Sequence, residues 1–222
     1  MHRRMILPLL FGLIGAAILI GLGSWQMQRL HWKEGLIAGA EARIAEAPVP
    51  VPAQPDPATD RYLSVTAAGR VAGAELHVLT SIQGEGPGFL VITAFDLADG
   101  RRILLDRGFI PEAAKTDARP PRALTVTGNL NWPDDVNAST PAPDTGRNIW
   151  FGRDVAAMAA ALGTDPVMLV AREDTGDGIR AQGVTATFRN DHLGYAITWF
   201  SLALAWLGMT AAYLWRIRQR TI

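Results

Sequence analysis

The sequence contains no cysteine. This absence excludes disulfide bonds, iron–sulfur clusters, thiolate metal sites and a cysteine nucleophile, but it leaves the redox compartment open. Net charge is absent as well, because 21 basic and 21 acidic residues cancel over 222 positions. We therefore expect no binding to nucleic acid, which selects strongly basic proteins. With 49% hydrophobic and only 19% charged residues, the sequence also differs from acidic disordered chains.

The common catalytic motifs are missing too. The sequence has no G-x-S-x-G elbow, no H-E-x-x-H, no Walker loop and no G-x-G-x-x-G. We therefore predict that the protein is not an enzyme. A membrane-anchored hydrolase is a less favoured alternative. A copper chaperone is less favoured still, because the middle of the chain lacks the methionine or histidine clusters that would replace cysteine.

The charges are distributed unevenly along the chain although their sum is zero. The two ends carry no acid and five arginines: Arg3, Arg4, Arg216, Arg218 and Arg220. The other 16 basic residues and all 21 acidic residues lie in residues 26–194. The ends therefore carry +5 and the middle carries −5, and uncharged segments separate them.

Two of these uncharged segments, residues 5–25 and 193–215, have the length of a membrane span. They contain 21 and 23 residues without a charge, and about 20 apolar residues cross the ~30 Å hydrocarbon core of a bilayer. We predict two transmembrane helices and disfavour buried helices of a soluble protein. A cleaved signal peptide is the alternative for the first segment, with Gly21-Leu22-Gly23 as cleavage site. An uncleaved anchor is favoured because the apolar run is long and its helical pattern continues beyond it.

The terminal arginines predict the topology. The positive-inside rule places the tails, residues 1–4 and 216–222, in the cytoplasm and residues 26–192 in the periplasm of a bacterial inner membrane. In the less favoured mitochondrial inner membrane, the tails would lie in the matrix and the central domain in the intermembrane space.

The central domain is predicted to be rich in strands. The first helix continues to about Ala47, and five prolines then make residues 48–58 a semi-rigid strap. The candidate strands are Tyr62–Val71, Glu75–Ser81, Phe89–Phe95, Ile103–Phe109, Ala123–Leu130, Val167–Ala171 and Val184–Arg189. A helix over Asp154–Leu162 has Asp154 as N-cap and Gly163 after its end. The expected fold is membrane-anchored α+β: two transmembrane helices flank an antiparallel, barrel-like β-rich domain with one or two helices.

Histidine offers one candidate binding site. His31 and His192 lie near the outer ends of the two spans, whereas His77 lies in a candidate strand and is expected to be structural. One helical face collects an imidazole, aromatic rings and small gaps: His192, Tyr195, Ala196, Trp199, Ala203 and Trp206. A flat macrocycle could bind there with His192 as axial ligand, its carboxylates near Arg189, Arg29 or Lys33. An interfacial histidine in an aromatic belt needs no ligand and is the alternative.

Several segments resemble the surfeit-locus protein 1 family. They are Leu22–Lys33 (LGSWQMQRLHWK), Pro87–Phe89 (PGF), Ile103–Pro111 (ILLDRGFIP), Val126–Gly128 (VTG), Asn148–Ala159 (NIWFGRDVAAMA) and Asn190–Phe200 (NDHLGYAITWF). Each motif is short. Their order, with two spans bracketing about 170 residues, makes the resemblance fairly specific.

The resemblance implies an assembly factor for haem-a-containing cytochrome c oxidase that holds haem a transiently. The implied partners are membrane lipid and oxidase subunit 1, which would receive the haem, with the haem a synthesis machinery as a further candidate. Cofactor-binding candidates are His192, Trp199, Tyr195, Arg189, Trp25 and Arg29, with His192 as ligand of the haem iron. The alternative is a cofactor-free scaffold that packs against an oxidase subunit through small-residue faces of the first span, Gly12-xxx-Ala16 and Ala17-xxx-Gly21.

Overall fold

The computed structural model describes residues 3–186 and 190–219. The contacts divide the chain into a helical unit, Met1–Gly39 with Thr187–Ile222, and a β unit, Ala40–Ala186. In the described residues the elements are α1 (Arg3–Ala45), β1 (Val49–Pro50), β2 (Ser64–Ile82), β3 (Gly86–Leu97), β4 (Arg102–Pro111), a 3₁₀ helix (Glu112–Ala114), β5 (Arg122–Asn131), α2 (Val155–Leu162), β6 (Met168–Ala171) and α3 (His192–Gln219).

The helices α1 and α3 contain the two predicted spans. Both are long and apolar enough to cross a membrane. In the most apolar 18-residue stretch, only 11% of α1 and 6% of α3 are buried. A core helix of a soluble protein would bury most of such a surface, so this exposure fits a lipid environment. At 1.5 Å per residue, the 43 residues of α1 measure about 65 Å. The helix therefore extends well beyond one bilayer core.

The helix α1 ends at Ala45, close to the predicted Ala47, and the proline-rich segment follows. Its first part pairs in parallel with β2, Val49 opposite Val65 and Pro50 opposite Thr66. The next three carbonyls accept hydrogen bonds from the guanidinium of Arg101: those of Val51 (3.2 Å), Pro52 (2.5 Å) and Ala53 (3.3 Å). Prolines lack an N–H to bind the sheet, and Arg101 fixes this strap through its carbonyls instead.

The strands form one mixed sheet. Antiparallel pairs join β2 to β3, β3 to β4, β5 to β6 and β2 to β5, whereas β1–β2 and β4–β6 are parallel. The expected antiparallel sheet is therefore only partly correct. Because β2 pairs with both β3 and β5, the hydrogen-bonded order β2-β3-β4-β6-β5 returns to its first strand.

Three predicted elements differ from the structure. Tyr62–Val71 and Glu75–Ser81 are one strand, β2, which is irregular between Val71 and Glu75. A bulge of this kind interrupts the alternation of buried and exposed residues, and the sequence pattern then resembles two short strands. No strand covers residues 184–186, and the rest of the predicted strand Val184–Arg189 lies outside the described residues.

The core of the β unit occupies both faces of β4 and β6. Ile103 and Leu105 pack in one cluster with Leu169, while Leu104 packs in a second cluster with Met168. This alternation follows from the period of two along a strand. The helix α2 covers the second cluster with Met158 and Ala159, among others. Its predicted caps are confirmed: Asp154 accepts a hydrogen bond from the backbone N–H of Ala157, and Gly163 adopts φ +64°.

Candidate functional site

Small residues bring α1 and α3 close together in the helical unit. A Cβ atom on Gly15 would lie 2.4 Å from the indole nitrogen of Trp206, and one on Gly12 would meet Thr210 at 2.2 Å. The indole N–H of Trp206 donates a hydrogen bond of 3.0 Å to the Gly12 carbonyl. Buried alanines complete the contact surfaces: Ala16, Ala196 and Ala203. Glycine and alanine permit this approach because they leave the two backbones unobstructed.

The same packing continues to the N-terminal end of α3. Gly23 lies against the ring of Phe200, since a Cβ there would be 2.7 Å from the ring. One turn further along α1, Gln26 is buried with 9% of its surface exposed. Its side-chain oxygen Oε1 lies 2.8 Å from Nδ1 of His192, the first residue of α3. The histidine singled out in the sequence is therefore held by a side chain of the other helix.

The hydrogen bond determines which imidazole nitrogen is free. In this orientation of the Gln26 amide its oxygen faces the ring and can only accept a hydrogen bond, so the contact requires the proton on Nδ1 of His192. In a neutral imidazole the other nitrogen, Nε2, then keeps its lone pair. His192 is half-buried. The arrangement provides one nitrogen ligand whose orientation is already fixed by a neighbouring residue, as is common for histidines that bind metal.

The other residues of the predicted helical face have different surroundings. Tyr195 is 55% exposed and Trp199 is half-buried, so both remain available to a ligand. Ala196, Ala203 and Trp206 lie instead in the packing against α1. The surface that a flat macrocycle could use is therefore narrower than the full predicted stripe.

The predicted residues on α1 lie on its exposed side. Trp25 is 53% exposed, and the guanidinium of Arg29 lies 4.2 Å from the ring centroid of Trp32. Such a cation–π contact positions the positive charge without neutralising it. His31 is exposed and follows Gln26 by five residues, about 7.5 Å along the helix axis. Arg189 lies outside the described residues.

Sequence reasoning missed Gln26, although it stands inside the quoted motif LGSWQ. A glutamine on a mostly apolar helix could have been recognised from its position. Gly23, Gln26 and Leu30 recur at intervals of three and four residues, which places them on one helical face, and all three are buried. A buried amide must find a hydrogen-bond partner, and this requirement could have directed attention to the polar residues near the start of the second span, His192 among them.

In the β unit, Glu75, Asp106 and Arg107 each form an ion pair with a residue distant in sequence, and each pair is the centre of a charged cluster. Glu75 Oε1 accepts hydrogen bonds from His77 Nε2 (2.7 Å) and Arg119 (2.8 Å). The side chains of Asp106 and Arg107 are almost fully buried, and they pair with Arg153 (3.1 Å) and Asp177 (2.6 Å) respectively. Asp106 and Arg107 thus form two separate pairs inside β4 and do not pair with each other, because neighbouring strand residues point to opposite faces.

These clusters have the properties of structural ion pairs. Burial raises the pKa of Glu75, but the hydrogen bond from His77 and the charge of Arg119 outweigh burial and lower the pKa overall. For Asp106 burial dominates and raises its pKa, although Arg153 and the backbone N–H of Gly108 oppose it. Among residues 3–186 and 190–219, no group of three or more histidine and acidic side chains could hold a metal ion.

The motif at residues 148–159 also stabilises the β unit. Asn148 adopts φ +51° and donates a hydrogen bond of 2.9 Å to the Glu75 carbonyl. The backbone of Trp150 bonds to both His77 and Leu79 of β2. Together with the N-cap Asp154, these contacts fix the segment between β5 and α2 to the sheet. The predicted structural role of His77 agrees with its buried position in this network.

Comparison with known proteins identifies the family. A family model described as the SURF1 family matches residues 13–204. Surfeit locus protein 1 of Rattus norvegicus is 30% identical in an alignment 223 positions long, which covers 90% of this chain and 71% of the rat protein. The Homo sapiens protein of the same name is 31% identical in an alignment of 221 positions, which covers 88% of this chain and 72% of the human protein. A SURF1-like protein of Drosophila melanogaster is 33% identical in an alignment of 233 positions, which covers 92% of this chain and 75% of the fly protein. The resemblance noted in the sequence motifs is confirmed, and the chain belongs to the SURF1 family.

Proposed function

We propose that this protein is a membrane-bound assembly factor for haem-a-containing cytochrome c oxidase, and that it holds haem a transiently through His192. Family membership supports the role in assembly. The observation that carries the haem proposal is the hydrogen bond of 2.8 Å between His192 Nδ1 and Gln26 Oε1. It leaves Nε2 as a nitrogen ligand whose orientation is fixed without the haem.

The residues around His192 fit a flat apolar ligand. Tyr195 is exposed and Trp199 is half-buried, so each offers ring surface one and two turns along α3. On α1, the exposed residues Trp25 and Arg29 lie within one turn of Gln26, and we propose that they supply a further ring and a positive charge suited to a haem carboxylate. Arg189 is proposed for the same role from the sequence. A transient carrier must release its cargo. A single histidine ligand that is only half-buried would serve this better than a closed cage.

The proposed location is the inner membrane of a bacterium, with both termini in the cytoplasm and the β unit in the periplasm. The support is the arginine distribution together with two exposed apolar helices. Oxidase subunit 1 is the proposed recipient of haem a, and the haem a synthesis machinery is the proposed donor. Membrane lipid is the expected neighbour of the exposed apolar side chains.

For the β unit we propose a small barrel. The support is the pairing of β2 with β5, which closes the ring of five strands. A closed ring removes exposed sheet edges, so it suits a domain that must not pair with other unfolded chains during assembly of a complex. The short strand β1 adds to its outside through parallel pairing.

The haem proposal is tested by the absorbance spectrum of the full chain, purified in detergent from cells that make haem a. We expect a haem band in the wild type and its loss in His192→Ala. His31→Ala is the matched control, because His31 is an exposed histidine on the same side of the predicted span. We expect it to keep the band. An unchanged spectrum of His192→Ala would reject His192 as the ligand.

A second candidate function is a scaffold without cofactor. The face of Gly12 and Ala16 packs against α3, whereas Ala17 and Gly21 are exposed. A Cβ added at Gly21 would have no neighbour within 4 Å. This second small-residue face is suited to close packing with a helix of an oxidase subunit. Under this hypothesis the wild type co-purifies with the subunit but shows no haem band, and Gly21→Leu loses the partner.

A further inference from the structure

Gln26 is an unusual residue for its place in the helical unit. Its neighbours on the buried face of α1, Gly23 and Leu30, are apolar, and its side chain is buried against α3 with 9% exposure. Burial of an amide without a hydrogen-bond partner costs about 1–3 kcal/mol, so a glutamine at this position needs a specific partner. Its side-chain oxygen has one in Nδ1 of His192, at 2.8 Å.

The bond acts on the tautomer of His192. A hydrogen bond at one ring nitrogen of a histidine determines which of the two nitrogens carries the proton. Free imidazole side chains in water favour the proton on Nε2. The amide oxygen of Gln26 requires it on Nδ1, so α1 imposes the opposite tautomer on a residue of α3.

We infer that Gln26 is a positioning residue for haem binding: it fixes the ring of His192 and presents Nε2, unprotonated, as the nitrogen that binds the iron. The inference rests on the proposed function. It adds that the site is built from both helices, with the ligand on α3 and the group that orients the ligand on α1. Groups that orient a ligand commonly change metal affinity by about 10–100-fold when they are removed.

The chain offers a matched set of variants. Gln26→Met has nearly the same length and no hydrogen-bond acceptor of comparable strength. Gln26→Glu keeps an oxygen that accepts from Nδ1. Gln28→Met is the control, because Gln28 is an exposed glutamine on the same helix, two residues away.

The first measurement needs no haem. The full chain, labelled with ¹⁵N-histidine in detergent, gives ring nitrogen shifts for its four histidines, and His192→Ala assigns the signal of His192. We expect the Nδ1–H tautomer in the wild type, Gln26→Glu and Gln28→Met, and the Nε2–H tautomer in Gln26→Met. An Nε2–H signal in the wild type, or no change in Gln26→Met, would overturn the positioning role.

The second measurement is titration with haem a, followed by absorbance and by the iron–nitrogen stretch in resonance Raman spectra. We expect Gln26→Met to bind about 10–100-fold more weakly with a shifted iron–nitrogen stretch, and Gln26→Glu to regain most of the affinity. A charged acceptor makes the imidazole a stronger donor, so Gln26→Glu should also lower the reduction potential. Wild-type affinity and an unshifted stretch in Gln26→Met would reject the inference.

The two proposals fail in different ways. If His192→Ala loses the haem band while Gln26→Met keeps it unaltered, the inference about Gln26 is wrong and the proposed function stands. If the wild type binds no haem a, the proposed function and the iron ligand are both rejected. The histidine tautomers then decide separately whether Gln26 orients His192 at all.

Discussion

The two units of this protein bury opposite kinds of residue. In the helical unit, glycine and alanine occupy the contact between α1 and α3, and large apolar side chains remain exposed. In the β unit, the side chains of Asp106 and Arg107 are buried with their ion-pair partners. The motifs typical of the SURF1 family therefore have different roles in the two units. Those of the β unit maintain the fold, whereas those of the helical unit hold the imidazole of His192 at the start of α3. Function is better sought at His192 than among the buried charges.

Removal of a buried charge should have the largest effect on stability. Arg107 is 1% exposed and contacts Asp177 at 2.6 Å and Thr175 Oγ1 at 2.9 Å. Arg107→Ala removes a buried side chain and leaves Asp177, which is 17% exposed, with only the longer pair to Arg122 at 3.4 Å. We expect a loss of about 3 kcal/mol in the free energy of unfolding, the lower end of the range for breaking a buried pair. Arg102→Ala, on the same strand but with an exposed pair to Asp96, should change it little. Urea unfolding of the full chain in detergent, followed by β-sheet circular dichroism, checks both. Equal losses would show that burial does not distinguish the pairs.

The pH dependence of stability should differ between Glu75 and Asp106. The pKa of Glu75 is lowered from 4.5 in the folded state, so its carboxylate stabilises the fold above pH 4.5 and loses this effect as the pH falls through the folded pKa. Glu75→Gln should cost about 1–3 kcal/mol at pH 7, since the buried guanidinium of Arg119 loses the negative charge of its partner. The difference in the free energy of unfolding between Glu75→Gln and the wild type should become smaller below pH 4.5.

Asp106 should show the opposite dependence. Its pKa is raised from 3.8 by burial, so the protonated carboxyl favours the folded state, and this contribution is lost as the pH rises from 3.8 through the folded pKa. The difference in the free energy of unfolding between the wild type and Asp106→Asn should therefore become smaller as the pH rises. Over the same change in pH, the difference between the wild type and Glu75→Gln should become larger. Urea unfolding at successive pH values measures both differences. Parallel curves for the two variants would contradict the stated pKa directions.

Much of the β unit was predictable because its local patterns agree with its fold. The turn between β3 and β4 lies at Asp99-Gly100, a dipeptide common in turns, with φ +88° at Gly100, and the predicted caps of α2 are confirmed. The parallel pair β4–β6 was not predictable, because the order of strands depends on contacts between distant segments that leave no local pattern. The single long strand β2 was missed because a bulge resembles a turn in sequence.

The sequence allowed His192 to be singled out as the candidate ligand, but it did not reveal the hydrogen bond that holds this residue. His192 could be found because a histidine at the start of an apolar span is rare and costly. The assignment of Ala196 and Ala203 to a haem surface ignored their other use, since small residues on a span are also the usual contact of helix pairs. Gln26 was missed because a partner on another helix cannot be identified from the periodicity of one.

A single substitution in the helix contact of the helical unit should have a smaller effect than the substitutions of buried charges in the β unit. A Cβ on Gly15 would meet the Trp206 indole at 2.4 Å, whereas one on Gly21 has no neighbour within 4 Å. Overpacking costs about 1–3 kcal/mol, but alanine favours a helix over glycine by about 0.8–1 kcal/mol. We therefore expect Gly15→Ala to weaken the helix pair by about 1 kcal/mol, the difference of these two effects, and Gly21→Ala to leave it unchanged or slightly stronger.

The absence of native cysteine provides the measurement for this last substitution. A Cβ added at Gly12 would lie 3.0 Å from Cβ of Thr210, closer than the separation of about 3.5–4.5 Å found in disulfides, so a slight separation of the helices brings the two positions into range. The pair Gly12→Cys and Thr210→Cys should therefore cross-link within the chain. Gly15→Ala should slow this cross-link and Gly21→Ala should not. Equal rates would mean that the indole of Trp206 moves aside at no cost. In that case the helical unit tolerates changes in its contact, in contrast to the tightly specified charges of the β unit.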